Sequence, residues 1–199
     1  MRAFHGCALD NHDFDDAASE LFEPFFEGGL SRPYGNDETA DKHRIEFVFR
    51  PYSPSDRSAV FRLLSILPSL YPEGDLWLER RLQDVSRGKA RCMIADTRRW
   101  GAVGLTIETP KGPHKVKLST IFVDPCFRGY GIGSALLRYC RENWTREKLR
   151  NVYMTADLRS AGVMLPLVTR FGFELVTTEF NRYGRDRHEM VLSWLPDQK

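Results

Sequence analysis

The alternation of apolar and polar residues changes its period once between residues 116 and 144, and this change marks the main structural signal of the chain. Residues 116–123 (VKLSTIFV) form an apolar, β-branched run that is typical of a buried strand, which Asp124-Pro125 ends. Farther on, apolar residues recur on one helical face, at Ile132, Leu136, Leu137, Cys140 and Trp144. The pattern predicts a strand, a loop and a helix in direct succession.

The other apolar patterns predict a sheet with helices before and after the central unit. Strands are predicted at residues 45–49, 91–95, 102–108, 152–156, 174–180 and 188–194. Helices are predicted from the capping residue Asp56 through Leu67, at residues 75–86 and at residues 163–171. The resulting order is β-α-α-β-β-β-α-β-α-β-β, which indicates a mixed α/β (α+β) fold.

Residues 128–134 (RGYGIGS) connect the central strand to its helix. A glycine-rich turn at a helix N-terminus presents free backbone N–H groups, and the helix dipole adds about half a positive charge, so the loop favours an anion. Arg128 adds a forked cation suited to phosphate oxygens. The loop lacks the lysine of a P-loop and the GxGxxG spacing of dinucleotide-binding folds. It predicts a phosphorylated cofactor; the alternative is a turn that only lets strand and helix pack closely.

The Arg-x-x-Gly-x-Gly pattern from Arg128 to Gly133, directly after Val-Asp-Pro, resembles the pyrophosphate loop of the GNAT superfamily of acetyl-CoA-dependent N-acetyltransferases. The predicted element order and the segment Arg170-Phe171-Gly172-Phe173-Glu174 resemble the same superfamily, over roughly residues 45–195. The resemblance implies a mostly antiparallel central sheet flanked by helices. It also implies acetyl-CoA as cosubstrate, without a metal, and acetyl transfer to a primary amine of a small molecule or protein.

The resemblance assigns the cofactor site to the end of the central strand and to the loop after it. Backbone groups of the strand would hold the pantetheine arm and the thioester carbonyl, and loop residues would hold the pyrophosphate. The implied strand residues are Ile121, Phe122 and Val123, and the implied loop residues are Arg128, Gly129, Tyr130, Gly131, Ile132, Gly133 and Ser134.

The residues that handle protons depart from the superfamily pattern. Ser119 and Thr120 stand where many members carry a strand carboxylate, and Val168 stands where many carry a tyrosine that protonates the CoA thiolate. Glu108, at the predicted end of the neighbouring strand, is the candidate catalytic residue, acting through a water; the alternative is a solvated surface carboxylate. Weaker candidates are Tyr153, Tyr183 and the exposed His114.

Charge divides the chain into an acidic N-terminal extension, residues 1–43, and a basic domain, residues 44–199. The first segment has ten acidic and three basic residues, and the second has 17 acidic and 26 basic residues. The basic surface suits CoA, a polyanion, and also tRNA. Within the extension, an apolar, helix-like cluster is expected to dock on its own domain or on a second subunit of a homodimer; it comprises Leu21, Phe22, Phe25, Phe26 and Leu30.

Composition bounds the setting of the protein. No run of 18 apolar residues occurs, so no membrane span is expected, and the first residues do not resemble a secretory signal. The four cysteines have no CxxC spacing, which favours a reducing, cytoplasmic location. Asp, His and Cys residues near the start lack a recognised metal spacing, so no metal is predicted.

Two alternatives to amine acetylation remain open at this point. A toxin-like member of the superfamily would acetylate the amino acid on charged tRNA, which the basic domain allows, although no aromatic RNA-stacking motif is evident. A non-catalytic acyl-CoA-binding module would explain the missing carboxylate and tyrosine.

Overall fold

The computed structural model describes residues 45–196, which form a seven-stranded sheet with helices on both faces. The acidic extension and the proposed boundary after residue 43 lie outside the described residues, and both stay predictions. The strands are Val48–Pro51 (β1), Arg91–Thr97 (β2), Gly101–Gly112 (β3), Lys115–Val123 (β4), Asn151–Asp157 (β5), Phe173–Glu179 (β6) and Glu189–Trp194 (β7).

Three helices follow β1, and one helix each separates β4 from β5 and β5 from β6. They are Arg57–Leu63 (α1), Leu67–Leu70 (α2), Gly74–Ser86 (α3), Ile132–Arg146 (α4) and Ala161–Val168 (α5). Short 3-10 turns lie at Pro54–Asp56, Pro125–Phe127, Leu158–Ser160 and Thr169–Phe171. Between residues 45 and 196, none of the helices has the length and apolar character needed to cross a lipid bilayer.

The strand order across the sheet is β1-β2-β3-β4-β5-β7-β6. Every neighbouring pair is antiparallel except β4 and β5, which run parallel. The helix α4 makes the crossover that a parallel pair requires. The prediction of a mixed, mostly antiparallel sheet flanked by helices is therefore confirmed.

Two local elements differ from the sequence prediction. The first strand is predicted at residues 45–49, but β1 pairs with β2 over Val48–Pro51. Pro51 is tolerated because β1 is an edge strand and has a hydrogen-bonded neighbour on one side only. The missing N–H of proline therefore does not interrupt pairing with a second strand. The single helix predicted from Asp56 through Leu67 is divided into α1 and the four-residue α2, which is too short to give a periodic signal.

An apolar core lies on each face of the sheet. On one face, α4 and α5 cover β4, β5 and β7, and the ring of the buried Trp144 lies 5.8 Å from that of Phe173 and 5.4 Å from that of Trp194. On the other face, α1 and α3 cover β2 and β3. Because strand side chains alternate, the half-buried Tyr153, Thr155, Val191 and Ser193 line the face opposite α4 and α5.

Candidate active site

The parallel strands β4 and β5 pair over only three residues. Residues 115–117 of β4 lie beside residues 151–153 of β5. Beyond that point β4 pairs with β3 alone and β5 pairs with β7 alone. The two strands therefore separate, and the edges of residues 118–123 and 154–157 form the walls of an opening in the sheet.

Two backbone units of β4 face this opening. The Asp124 N–H donates to the Val103 carbonyl oxygen of β3 at 2.9 Å, and antiparallel residues alternate between facing the partner strand and facing away. This alternation turns the N–H and C=O groups of Val123 and Ile121 toward the opening. Arg128 confirms the direction, because its Nε donates to the Val123 carbonyl oxygen at 3.1 Å.

A β-bulge interrupts β4 beside the opening. The register with β3 shifts after the Ile107–Thr120 pair, and Glu108 pairs with Leu118, so Ser119 has no partner on β3. The Ser119 and Thr109 hydroxyls lie 2.9 Å apart and hydrogen-bond to each other. Neither hydroxyl is a base at neutral pH, in agreement with the absence of a carboxylate here.

The loop after β4 presents backbone donors at the N-terminus of α4. Gly129 and Gly131 have φ values of 84° and 80°, a left-handed conformation that glycine adopts without strain. The first backbone bond of α4 runs from the Ala135 N–H to the Gly131 carbonyl oxygen at 2.9 Å. The N–H groups of Ile132, Gly133 and Ser134 precede that bond and have no partner within the helix.

The N-terminus of α4 is held against the strand by a glycine on β3. A Cβ atom on Gly104 would lie 3.0 Å from the Phe122 carbonyl oxygen, 3.4 Å from Val123 Cγ2 and 3.5 Å from Ile132 Cγ2. The tightest of these contacts is with the backbone of β4, so a side chain at this position would push β3 away from β4. Gly104 thus allows the close approach of the two strands beneath the start of α4.

The loop fits a pyrophosphate. Ideal Cβ atoms on Gly129 and Gly131 would meet nothing within 4 Å, so the space over both glycines is open to a ligand. Arg128 and Tyr130 are exposed beside them. Free N–H groups, the positive end of a 15-residue helix and an adjacent guanidinium suit phosphate oxygens.

Glu108 pairs with Leu118 of β4, where the opening begins, and its side chain turns toward α4. β3 continues to Gly112, so Glu108 is not at a strand end, and only 5% of the residue is exposed. Its carboxylate accepts a hydrogen bond from the Trp144 indole N–H, and its Oε2 lies 3.2 Å from Arg91 Nε. Burial raises the pKa of Glu108, and the charge of Arg91 offsets part of that effect. The interpretation as a solvated carboxylate is wrong, because the side chain is buried beneath α4.

The weaker candidates occupy separate places. His114 is exposed in the β3–β4 turn, and its carbonyl oxygen accepts the N–H groups of Arg150 and Asn151. Tyr153 lies on β5 under the Lys115 ammonium, which is 5.1 Å from its ring centre. Tyr183 alone lies close to a buried acid, in the loop between β6 and β7.

That buried acid is Glu189, which the sequence analysis missed. Only 2% of the residue is exposed, and its Oε1 accepts a hydrogen bond from the Tyr71 hydroxyl at 3.3 Å. Within residues 45–196 its Oε2 is buried and has no hydrogen-bond partner. Burial raises the pKa of Glu189. An acid at the start of an apolar strand gives no sequence signal, because its neighbours meet it only in the folded sheet.

Two surface segments cover Glu189. Tyr71, directly after α2, meets Tyr183 edge to face, with ring centres 5.2 Å apart. Arg187, in the same loop as Tyr183, donates to the carbonyl oxygens of Leu70 at 2.5 Å and Ser69 at 3.0 Å. The turn after α2 and the β6–β7 loop are therefore held together, and Tyr71 of the turn contacts the carboxylate.

The middle of the chain matches a known family of domains. Residues 88–175 match the family model of the acetyltransferase (GNAT) domain. The matched segment runs from the turn before β2 into β6, and it contains β4, the glycine loop, α4 and the β4–β5 opening. This segment of the chain is similar to GNAT acetyltransferase domains.

Solved GNAT structures share the fold at low sequence identity. The ribosomal-protein-alanine N-acetyltransferase of Brucella melitensis has a TM-score of 0.63 and 19% identity, covering 74% of this chain and 99% of that one. Ard1 from Thermoplasma volcanium has a TM-score of 0.62 and 18% identity, covering 75% and 97%. A GNAT family acetyltransferase from Elizabethkingia anophelis, with acetyl-CoA bound, has a TM-score of 0.58 and 15% identity, covering 78% and 100%.

No curated protein sequence matches the chain. At identities below 20% the structural likeness establishes the GNAT fold, and it leaves the acceptor undefined. The substrate must therefore be argued from the residues around the opening.

Proposed function

We propose that the protein is an N-acetyltransferase that moves the acetyl group of acetyl-CoA to a primary amine of a small molecule or protein. The observation that carries the proposal is the set of unpartnered N–H groups at the start of α4, beside a strand edge that has lost its neighbour. Acetyl-CoA supplies an activated acyl carbon and a thiolate leaving group. The chain supplies binding, alignment and a path for the proton.

The cofactor side uses mainly backbone groups. The N–H groups of residues 129–134 and the guanidinium of Arg128 would bind the pyrophosphate. The backbone edge at Ile121 and Val123 would bind the extended pantetheine arm, as a strand edge binds any extended chain with amide groups. The side chain of Phe122 packs against the core beside α1 and α3, so its contribution is to hold the edge in place.

Three binding measurements test the cofactor assignment. Acetyl-CoA at 100 times its Kd should stabilise the folded protein by about 2.7 kcal/mol and raise its Tm. Gly131→Glu puts a negative side chain into the space reserved for phosphate and should abolish the rise. Gly88→Glu is the matched control, since Gly88 also has a positive φ, of 73°, and open space, but lies in the α3–β2 turn.

The reaction itself is tested by thiol release from acetyl-CoA with spermidine, benzylamine, a hexapeptide with a free α-amine, and charged tRNA. An amine that accelerates release and is recovered with one added acetyl group supports the proposal. Acetylated charged tRNA with unmodified amines would favour the toxin-like alternative. Tight acetyl-CoA binding without any acetylated product would favour the binding module.

The proposed setting is the cytoplasm. Among the described residues Cys92, Cys126 and Cys140 are all free thiols, which fits a reducing compartment. Cell fractionation that finds the protein outside the cytoplasm would contradict this part of the proposal.

A further inference from the structure

We infer that Glu189 is the catalytic base that takes the proton from the acceptor amine. The inference rests on the proposed acetyl transfer and adds the residue that the sequence pattern lacks. The amine nitrogen bonds to the acyl carbon, the C–S bond breaks, and the nitrogen proton passes to the Glu189 carboxylate. The CoA thiolate takes a proton from water, and Glu189 returns its own to solvent, so the net change is transfer of one proton from nitrogen to sulfur.

The sheet register brings Glu189 level with the opening. Lys117 of β4 pairs with Tyr153 of β5, and four residues farther along the two diverging strands come Ile121 and Asp157. Asp157 pairs with Glu189 across β5 and β7. Glu189 is therefore one strand away from the wall that faces β4. Because Ser119 is the extra residue of the β4 bulge, Ile121 lies about one residue short of the height of Glu189 in the sheet.

The face of the sheet is the second argument. Met190 and Leu192 of β7 lie in the core beneath α4 and α5, so the alternation of side chains turns Glu189 to the opposite face. The phosphate loop belongs to α4. An acyl group that passes through the opening from the α4 side thus meets an amine arriving from the Glu189 side, and the two substrates do not compete for space.

The free oxygen is the third argument. A buried carboxylate oxygen without a donor costs free energy, and such groups in native proteins call for an explanation. Glu189 Oε2 is buried without a hydrogen-bond partner among residues 45–196. An amine N–H is the donor this oxygen needs, and the Tyr71 hydroxyl on Oε1 leaves Oε2 available for it.

The charges around Glu189 set its titration. Burial raises its pKa, and the neighbouring carboxylate of Asp157 raises it further. The Tyr71 hydrogen bond lowers it, as do the cationic side chains that face the carboxylate. These cations are Lys117 on β4, Arg182 in the β6–β7 loop and, after β5, Arg159. A base with a raised pKa accepts a proton near neutral pH more readily than a solvated carboxylate does.

The test compares Glu189→Gln with Glu179→Gln. Glu179 lies opposite Glu189 in the β6–β7 register, so the control loses the same charge one strand away. We expect Glu189→Gln to lower kcat roughly a hundredfold. The acetyl-CoA Kd should stay within about twofold of the wild-type value, and the Tm within about 3 °C. The control should keep the wild-type kcat. The assay uses the amine that reacts fastest among spermidine, benzylamine and the free hexapeptide, or water where no amine reacts.

The pH profile separates catalysis from structure. In the wild type kcat/KM should rise as Glu189 ionises, and this limb should vanish in Glu189→Gln. Tyr71→Phe removes a hydrogen bond that lowers the pKa of Glu189, so it should move the limb to higher pH. If Glu189→Gln does not fold, Glu189→Asp is the second variant, because it keeps the carboxylate on a side chain that is one methylene shorter. The pH profile and kcat are then measured for that variant.

A readout without turnover completes the test. In ¹³C NMR of the carboxyl groups, the signal lost in Glu189→Gln should titrate above the ordinary Glu value of 4.5 in the wild-type protein. A Glu189 that titrates at or below that value, or a Glu189→Gln variant with more than about a third of wild-type kcat, overturns the inference. Failure of the wild type to bind acetyl-CoA overturns the proposed function instead, so the two failures are distinct.

Discussion

Arg187 donates from Nη1 to the carbonyl oxygen of Leu70 at 2.5 Å and so ties the β6–β7 loop to the C-terminus of α2. The two residues are 117 positions apart in sequence, and their contact lies beside the proposed acceptor site. A charged donor on a backbone carbonyl is among the stronger hydrogen bonds in proteins. The position of the loop therefore depends on this contact.

Arg187→Ala should loosen the cover over Glu189. We expect faster cleavage within residues 181–188 by a protease of broad specificity, and a KM for the acceptor amine raised by about fivefold, while the acetyl-CoA Kd is unchanged. Arg185→Ala is the control, because Arg185 is exposed in the same loop. Equal cleavage rates for the two variants would show that the tether does not hold the loop.

Gly104→Ala should destabilise the protein and weaken the cofactor site together. The added methyl group would meet the Phe122 carbonyl oxygen at 3.0 Å, and overpacking of this kind costs about 1–3 kcal/mol. Gly162→Ala is the matched control: Gly162 lies in α5 with nothing within 4 Å, so alanine should stabilise it by about 0.5–1 kcal/mol. Denaturant unfolding and acetyl-CoA titration measure both effects. A Gly104→Ala variant with native stability would contradict the close approach of β3 to β4 at this position.

Glu108→Ala should affect stability rather than chemistry, because we propose that Glu108 is a structural residue. The change removes the acceptor of the buried Trp144 N–H and one carboxylate partner of Arg91, so unfolding should become easier by about 3 kcal/mol. Glu174→Ala, on exposed β6, should change little. Unaltered stability together with a lost kcat would return Glu108 to the catalytic role that the sequence suggested.

Asp56→Asn should reduce the acid sensitivity of the fold. Arg50 donates to both Asp56 carboxylate oxygens at 2.7 Å and lowers the pKa of Asp56 below its ordinary value of 3.8. A lowered pKa stabilises the folded state above pH 3.8, and this contribution is lost as pH falls through the folded-state value. Because Arg50 is partly exposed, the cost of Asp56→Asn should be about 1 kcal/mol at pH 7 and should shrink toward zero at pH 2.

Urea unfolding at both pH values measures the Asp56 effect. Asp186→Asn is the control, since Asp186 is exposed. An Asp56→Asn cost that is equal at both pH values would show that the carboxylate charge is not the cause.

The elements of the proposed cofactor site were predictable from the sequence because they are local. β4, the loop and α4 are consecutive in the chain. The apolar period changes from two to 3.6 residues at a glycine run, and this signal does not depend on how the elements pack in the fold. The unpaired edges at Ile121 and Val123 depend on β5, which comes 30 residues later, and the sequence provided them only through the resemblance. The positions within strands were predicted to a few residues, as β1 illustrates.

The acceptor side was not predictable because it is assembled from distant segments. Glu189 and Tyr71 are 118 positions apart, and each alone looks ordinary: an acid before an apolar strand and a tyrosine before a proline. Glu108 shows the opposite failure. Its position at the edge of an apolar run indicated a carboxylate that contacts either solvent or the substrate. In the structure, the indole of Trp144 and the guanidinium of Arg91 allow the carboxylate to be buried.

The brief pairing of β4 with β5 divides the sheet into a four-strand block and a three-strand block. Three residue pairs at one end join the blocks within the sheet, and α4 connects them along the chain. We therefore expect motion between the blocks to be concentrated along the opening, which is also where acetyl-CoA is proposed to bind. We expect amide exchange to be fastest along the opening in the free protein, and a ligand wedged between the blocks to stiffen strands that it never touches.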